Sequence, residues 1–495
     1  VFEVAELGHK ISKKEYETRV PQLRTELLTV QEQLKNADFP VIVLISGVDG
    51  AGKGHTVNRL NEWFDPRYLR TFAVGEESDE ERERPEYWRF WRALPPKGHI
   101  GLYIGSWYSK PIGERVAGKF NDAEFDGHLL RIKTFEKELV DDGALVIKFW
   151  LHLSHDAQKQ RLKKLESNPD TAWRVTKLDK KHLKHYAQFR SVAERTIRDT
   201  STGEAPWIIV EGSDEYYRSV TIGQYILDHI RERLEHKARI VDDLPPTSAE
   251  VLPVLTRELT LLGHLDMNRQ LTKKRYNQQL EKYQERLNKL ARATHERKIS
   301  SVMVLEGWDA AGKGGLIRRM IPAMDARNYQ IIPIAAPTDE ERAHHYLWRF
   351  WRHIPRGGQV TIYDRSWYGR VLVERVEGFA RHDDWMRAYA EINDFEEQLT
   401  KHGTVLLKYW LHIDKDEQLR RFQEREKIAY KQYKITEEDY RNRERWDDYE
   451  HAVNDMVERT STEYAPWDLI EGNDKRYARI KALQLFCERL ERALG

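Results

Sequence analysis

Gly307-Trp308-Asp309-Ala310-Ala311-Gly312-Lys313-Gly314 follows directly on the apolar run Ser301 to Leu305, with the spacing of a Walker A loop up to its lysine. The pattern predicts a strand, a tight turn and then a helix. Glycines let backbone N–H groups converge on phosphate oxygens, the helix presents its positive N-terminal end, and a lysine adds a mobile full charge. Gly307, Ala310, Ala311, Gly312 and Gly314 are therefore read as an anion cradle and Lys313 as its charge. A glycine-rich strand-to-helix turn can also be purely structural. Recurrence favours the cradle: Gly47-Val48-Asp49-Gly50-Ala51-Gly52-Lys53-Gly54 follows a second apolar run, Val41 to Ile45.

The recurrence extends along the chain at a constant offset of 260 residues, Lys53 standing against Lys313. Ser12-Lys13-Lys14 matches Thr272-Lys273-Lys274, and Trp88-Arg89-Phe90-Trp91-Arg92 matches Trp348-Arg349-Phe350-Trp351-Arg352. Ser106-Trp107-Tyr108 matches Ser366-Trp367-Tyr368, and Ala205-Pro206-Trp207 matches Ala465-Pro466-Trp467. Two unrelated domains would lose register at their loops, so the chain is read as a tandem duplication. Its 495 residues also exceed what one core usually serves. Between the copies lies Val241-Asp242-Asp243-Leu244-Pro245-Pro246-Thr247-Ser248, rich in proline and small polar residues, which reads as a connection. The expected domains are 1–240 and 256–495, with a linker at 241–255.

In the second copy Tyr276, Leu280, Tyr283 and Leu287 give a helical spacing from Lys273 to about Ala293. Further strands are expected at Gln359 to Tyr363, ending in Asp364, at Thr404 to Leu411, and at Trp467 to Ile470. Trp385, Tyr389, Ile392, Phe395 and Leu399 share one helical face, and Thr436 with Asp439 resembles a capping box. Strands alternating with helices predict an α/β fold with a mainly parallel sheet covered on both faces, and ligands at the carboxyl ends of the strands. The glycine loop and Asp364 both lie at such ends.

Apolar residues make up 40% and charged residues 33%, a globular rather than disordered composition. The 82 basic and 81 acidic side chains are interleaved, which argues against a continuous nucleic-acid-binding stripe. A single cysteine, Cys487, excludes an intramolecular disulfide, and the absence of a long apolar run leads to the expectation of a cytoplasmic protein without a membrane partner.

Gly314 stands where a Walker A loop normally places a Ser or Thr on magnesium. Asp309 and Asp364 are hard oxygen donors suitably placed to hold Mg2+ instead. Two other readings stay open: Asp309 as a turn residue bonding its own backbone, and Asp364 as a helix N-cap. Arginines follow in number. Arg342, Arg349, Arg352 and Arg356 precede the Gln359 strand, Arg365 and Arg370 follow Asp364, and Arg420, Arg421 and Arg425 lie on a charged helix suited to a lid. Arginine forks grip phosphate oxygens, although charged helices are also commonly just solvated faces. Trp348, Trp351, Trp367 and Tyr368 recur in both copies and are read as core in preference to base-stacking groups. His344 and His345 sit in a charged segment and are not read as nucleophiles.

Together, the loop Gly307 to Gly314, the string Tyr363-Asp364-Arg365-Ser366-Trp367-Tyr368 and the arginine-bearing helix from Asp416 resemble the polyphosphate kinase 2 family. The resemblance covers both copies. It implies a three-layer α/β/α P-loop kinase fold similar to thymidylate kinase, with a helical lid, and magnesium-dependent exchange of phosphoryl groups between inorganic polyphosphate and nucleotides. Two-domain members make ADP from AMP. Lys313, Asp309, Asp364 and Arg365 match the family's catalytic motif positions, and Arg420, Arg421 and Arg425 its phosphate-gripping helix. The first copy departs from this pattern, reading Tyr103-Ile104-Gly105-Ser106-Trp107-Tyr108, with Ile104 opposite Asp364 and Gly105 opposite Arg365. It is expected to be catalytically degenerate. The alternatives are phosphorylation of ADP to ATP by polyphosphate, an ATP-dependent nucleotide kinase, and a non-catalytic polyphosphate- or nucleotide-binding scaffold. Base preference, direction and assembly as a homo-oligomer are left open by the sequence.

Overall fold

The computed structural model describes residues 1–243, 261–427 and 437–495. The expected linker beyond Asp243 and the capping residue Thr436 lie outside the described residues. The chain forms two compact units, one built on the first repeat together with Asp339–His345, the other on the second repeat together with Glu77–Trp88. A helix spanning Glu215–Asp243 runs through the first three positions of the expected linker.

Each unit holds a sheet of five parallel strands. In the first these are β1 (Val41–Gly47), β2 (Leu69–Ala73), β3 (Ile100–Ile104), β4 (Leu145–His152) and β5 (Trp207–Glu211), ordered β2-β3-β1-β4-β5. In the second they are β6 (Ser301–Gly307), β7 (Tyr329–Pro333), β8 (Val360–Asp364), β9 (Val405–His412) and β10 (Trp467–Glu471), ordered β7-β8-β6-β9-β10. The predicted parallel α/β class is the observed one.

Sequence explains why β6 is central. Val302, Met303, Val304 and Leu305 are all fully buried, as a strand covered on both faces requires. The helix His382–Lys401 turns Ala388, Tyr389, Ile392, Phe395 and Leu399 inward, while Trp385 at its outer turn is half-buried. β6 pairs with β8 on one side and β9 on the other, so the chain leaves it in opposite directions and opens a crevice at the carboxyl end of the sheet. Register sets what faces that crevice: Leu305 pairs with Asp364, and Gly307 with Leu411.

Trp348, Trp351, Trp367 and Tyr368 are buried. Trp367 Nε1 and the Tyr368 hydroxyl donate to Glu396 at 3.1 and 2.6 Å, and Lys408 Nζ reaches the other carboxylate oxygen at 2.7 Å. The first repeat repeats this network with Trp107, Tyr108, Glu136 and Lys148. A buried ion pair with its hydrogen bonds satisfied specifies a core, and its presence in both repeats makes it architectural. Among the described residues, no helix is long and apolar enough to cross a membrane.

Candidate active site

The loop after β6 follows from its glycines. Gly307 has φ 147°, and a Cβ there would lie 2.5 Å from the Leu411 carbonyl oxygen on β9, so only glycine allows β6 to pass so close. Gly312, with φ 117°, caps the helix Lys313–Met320 in a left-handed conformation. Lys313 folds back onto the loop: its Nζ donates to the Gly307 carbonyl at 2.7 Å and approaches that of Trp308 at 3.4 Å. These carbonyls hold the ammonium at the mouth of the cradle.

Two of the sequence-predicted residues meet directly. Arg365 Nη2 lies 3.2 Å from Asp309 Oδ1, while Asn442 of the helix Glu437–Glu444 donates to Asp309 Oδ2 at 3.2 Å. Asp309 is thus held from outside the loop and is not a turn residue bonding its own backbone. Asp364 ends β8 beside β6, and the cap of the following short helix is Ser366, whose side chain accepts from Tyr368 N–H. The N-cap reading of Asp364 is set aside. Arg365 has φ +65°, a left-handed conformation that costs a non-glycine residue about 1–2 kcal/mol. Such strain recurs at functional sites, where surrounding structure enforces it.

The three arginines of the helix Lys415–Glu426 have different surroundings. Arg420 is exposed and pairs with Glu417 and Glu424. Arg425 is half-buried, one turn further on. Arg421 is buried, and it corrects the expectation of a phosphate grip. Its Nε donates to Glu417, Nη1 to the carbonyls of Ala310 and Ala311, and Nη2 to those of Gly472 and Asn473. A guanidinium has five N–H donors, and all five are committed. In this structure Arg421 braces the back of the phosphate loop.

A cleft of about 700 Å³, its open mouth included, takes Gly307, Asp309 and Arg365 from the predicted set. Its lining adds residues the sequence reading passed over: Glu306, Trp308, Gln418, Asn442 and Tyr449. Trp308 stacks on Trp446 at 3.7 Å between ring centroids, and its indole N–H donates to His412 Nδ1 at 3.1 Å. Burial holds His412 neutral by pulling its pKa down to about 4. Glu306 is also buried, and burial pushes its carboxyl up, against the charges of Lys313 and Arg365 and the hydrogen bond from Ser366. The repeat itself carried a signal for these residues. Ser46, Val48 and His182 stand opposite Glu306, Trp308 and Asn442 at the same offset that exposed Ile104 and Gly105.

The first repeat shows what those exchanges do. Lys53 reaches Asp49 Oδ1 at 3.2 Å, as well as the Gly47 and Val48 carbonyls, and His182 Nδ1 lies 2.6 Å from Asp49 Oδ2. Burial works against the Asp49 charge, but His182 and Lys53 outweigh it and hold its pKa down to about 2. The Arg218 guanidinium packs against Gly52, where a Cβ would meet it at 2.5 Å. Phe2 stacks on His152 at 4.2 Å and lies 6.0 Å from Trp150, the counterparts of His412 and of Trp410, which lies 5.8 Å from Trp308. In the first repeat the loop aspartate is therefore committed to Lys53 and His182, and Arg218 packs against the loop at Gly52.

Among the described residues no group of three or more His, Cys, Asp or Glu side chains has metal-binding geometry. Asp309 and Asp364 remain a pair of hard oxygen donors beside a phosphate loop, a donor set that fits magnesium bound largely through substrate and water.

The polyphosphate kinase 2 family model matches residues 10–238 and again 270–494. The polyphosphate:AMP phosphotransferase of Pseudomonas aeruginosa is 52% identical over 494 residues, covering 100% of this chain and 99% of that protein. The protein of that name from Acinetobacter johnsonii is 37% identical, covering 95% of this chain and 96% of its own. A crystal structure of a polyphosphate kinase 2 from Pseudomonas aeruginosa superposes with a TM-score of 0.89 at 50% identity, covering 100% of this chain and 99% of that one. With two matches that together span nearly all of its length, this chain belongs to the polyphosphate kinase 2 family.

Proposed function

We propose that the second repeat transfers the terminal phosphoryl group of inorganic polyphosphate to AMP, forming ADP. The observation that carries this reading is the meeting of Asp309 and Arg365 beside the phosphate loop, in the one repeat that keeps both Asp364 and Arg365. The names of the full-length relatives supply the donor and the acceptor.

An oxygen of the AMP phosphate attacks the terminal phosphorus of polyphosphate in line. The new P–O bond forms as the bond to the penultimate phosphate breaks, and the shortened chain leaves as an anion. Because the acceptor is already an anion, no strong general base is needed, and catalysis rests on positioning and charge neutralisation. Lys313 would leave the Gly307 and Trp308 carbonyls for donor oxygens, and the loop N–H groups would hold the same phosphate. Arg365 would face the charge that develops on the transferred group. Asp309 and Asp364 would hold magnesium, which supplies additional neutralisation when bound. Arg420 and Arg425 are assigned to the polyphosphate chain and Arg421 to the loop's support. A cytoplasmic location belongs to the same reading and rests on the composition and single cysteine.

The test offers long-chain polyphosphate as sole donor, with magnesium, to AMP or ADP. ADP formed from AMP supports the assignment, and chelation should abolish the reaction until magnesium is restored. ATP formed from ADP alone would move the acceptor, and product only on adding ATP would make the chain an ordinary nucleotide kinase.

A further inference from the structure

Glu306 is a buried carboxylate at the carboxyl end of β6, 6% exposed, and the mechanism above does not use it. The Ser366 hydroxyl donates to its Oε1 at 2.8 Å. Ser366 is itself buried, and its Oγ accepts the Tyr368 N–H at 3.3 Å. The residue between Ser366 and Asp364 is the left-handed Arg365, whose N–H donates to the Leu305 carbonyl at 3.0 Å. Two consecutive residues of β6 thus hold two consecutive residues of the β8 exit, one through the backbone and one through the Glu306 side chain.

The first repeat serves as an internal control. It builds the same sheet in the same register, with Leu44 and Ile45 paired to Tyr103 and Ile104. It does so with Ser46 in place of Glu306 and with Gly105, at φ +73°, in place of Arg365. Ser106 is retained and still accepts the Tyr108 N–H, at 3.4 Å. The fold therefore does not require the glutamate. Glu306 is present where an arginine must be kept in a conformation that glycine adopts without cost, and it lines the cleft into which that turn opens.

We infer that Glu306 is a positioning residue for phosphoryl transfer: through Ser366 it fixes the turn that aims the Arg365 guanidinium at the reacting phosphate. This rests on the second repeat being the catalytic one. Three consequences follow. The effect should act on turnover more than on substrate binding. It should depend on the hydrogen bond, which glutamine preserves, more than on the carboxylate charge. It should vanish when the Arg365 side chain is absent.

The experiment measures kcat and KM for E306A, E306Q, S366A and R365A, and for E306A combined with each of the last two, with melting temperatures as folding controls. E306A and S366A should each lower kcat by about 30-fold, with KM for AMP and polyphosphate changing less than about threefold. E306Q should recover to within about fivefold of wild type. Adding E306A to S366A or to R365A should cost less than about threefold more, as coupled residues do. A full multiplicative loss in the R365A background, a glutamine variant as damaged as alanine, or an E306A enzyme within about threefold of wild type would each overturn the inference. Should E306A fail to fold, S366A and E306Q carry the same comparison. If only ATP serves as donor, the functional reading fails, while the same cycle run with ATP still reads the coupling.

Discussion

Arg365 combines the transfer role proposed for it with a strained backbone, a strain it shares with Ala310 of the loop at φ 63°. Its guanidinium meets Asp309, and its backbone sits at φ +65°, where the first repeat has glycine. Arg365→Ala should lower kcat by roughly a thousandfold or more, the scale seen for charge-neutralising arginines in phosphoryl transfer. Arg365→Gly should lose as much activity without lowering the melting temperature, because glycine relieves the left-handed strain. A clear fall in melting temperature for the glycine variant would show that the side chain also stabilises the fold. Arg421 presents the opposite case. Arg421→Ala leaves four carbonyls and Glu417 without their donor and should destabilise the second unit by about 3 kcal/mol or more, whereas exposed Arg420→Ala should cost about 0–1 kcal/mol. Comparing the two by thermal or denaturant unfolding checks this. His412 gives a pH dependence. Between its ordinary pKa of 6.5 and the folded value of about 4, the unfolded chain takes up a proton that the folded chain refuses, so stability is present above pH 6.5 and is lost as pH falls through that window. The full effect is on the order of 3 kcal/mol, and His412→Asn should flatten that part of the melting-temperature profile. Equal slopes in the two proteins would contradict it. At this scale the motif residues were legible because the loop spacing and the Asp-Arg pair restrict them to strand ends. The contrast between exposed Arg420 and buried Arg421 was not, because adjacent arginines on a helix point in different directions and only packing shows which one turns inward. Glu306 was hidden because it continues an apolar strand.

At the level of elements, the strands that carry the site were readable as continuous apolar runs, and their observed bounds, Ser301–Gly307, Val360–Asp364, Val405–His412 and Trp467–Glu471, differ by only a residue or two from expectation. β7 was missed. It is an edge strand whose central residues Gln330 and Ile331 are exposed and which ends in Pro333, so it lacks both the apolar run of a buried strand and a regular alternation. The strand taken from sequence as second is consequently the third in chain order. The phosphate loop makes two contrasting substitutions informative. Gly307→Ala forces a Cβ to within 2.5 Å of the Leu411 carbonyl oxygen and should lower both melting temperature and activity. Gly314→Ser restores the hydroxyl of the usual motif at a position with no atom within 4 Å of an added Cβ, and should leave the melting temperature within about 3 °C of wild type. A large drop for the serine variant would mean that the loop has no room for a hydroxyl there.

For the whole molecule, duplication was the most legible property, since one offset ordered every matched segment and the structure returns the same strand order in both units. The grouping of Glu77–Trp88 with the second repeat and of Asp339–His345 with the first was not legible, because the matching segments Asp79–Arg82 and Asp339–Arg342 are identical in sequence and helical in both repeats. Nor was the stacking of Phe2 on His152, a ring remote in sequence from its partner. On the proposed function the labour is divided: the second repeat catalyses, and the first keeps the fold with its loop aspartate held by Lys53 and His182. The direct test is the rate of ADP formation from AMP and polyphosphate by Lys313→Ala and Lys53→Ala side by side. Lys313→Ala should lose at least about a hundredfold and Lys53→Ala should stay within about threefold of wild type. Equal losses in the two variants would contradict it.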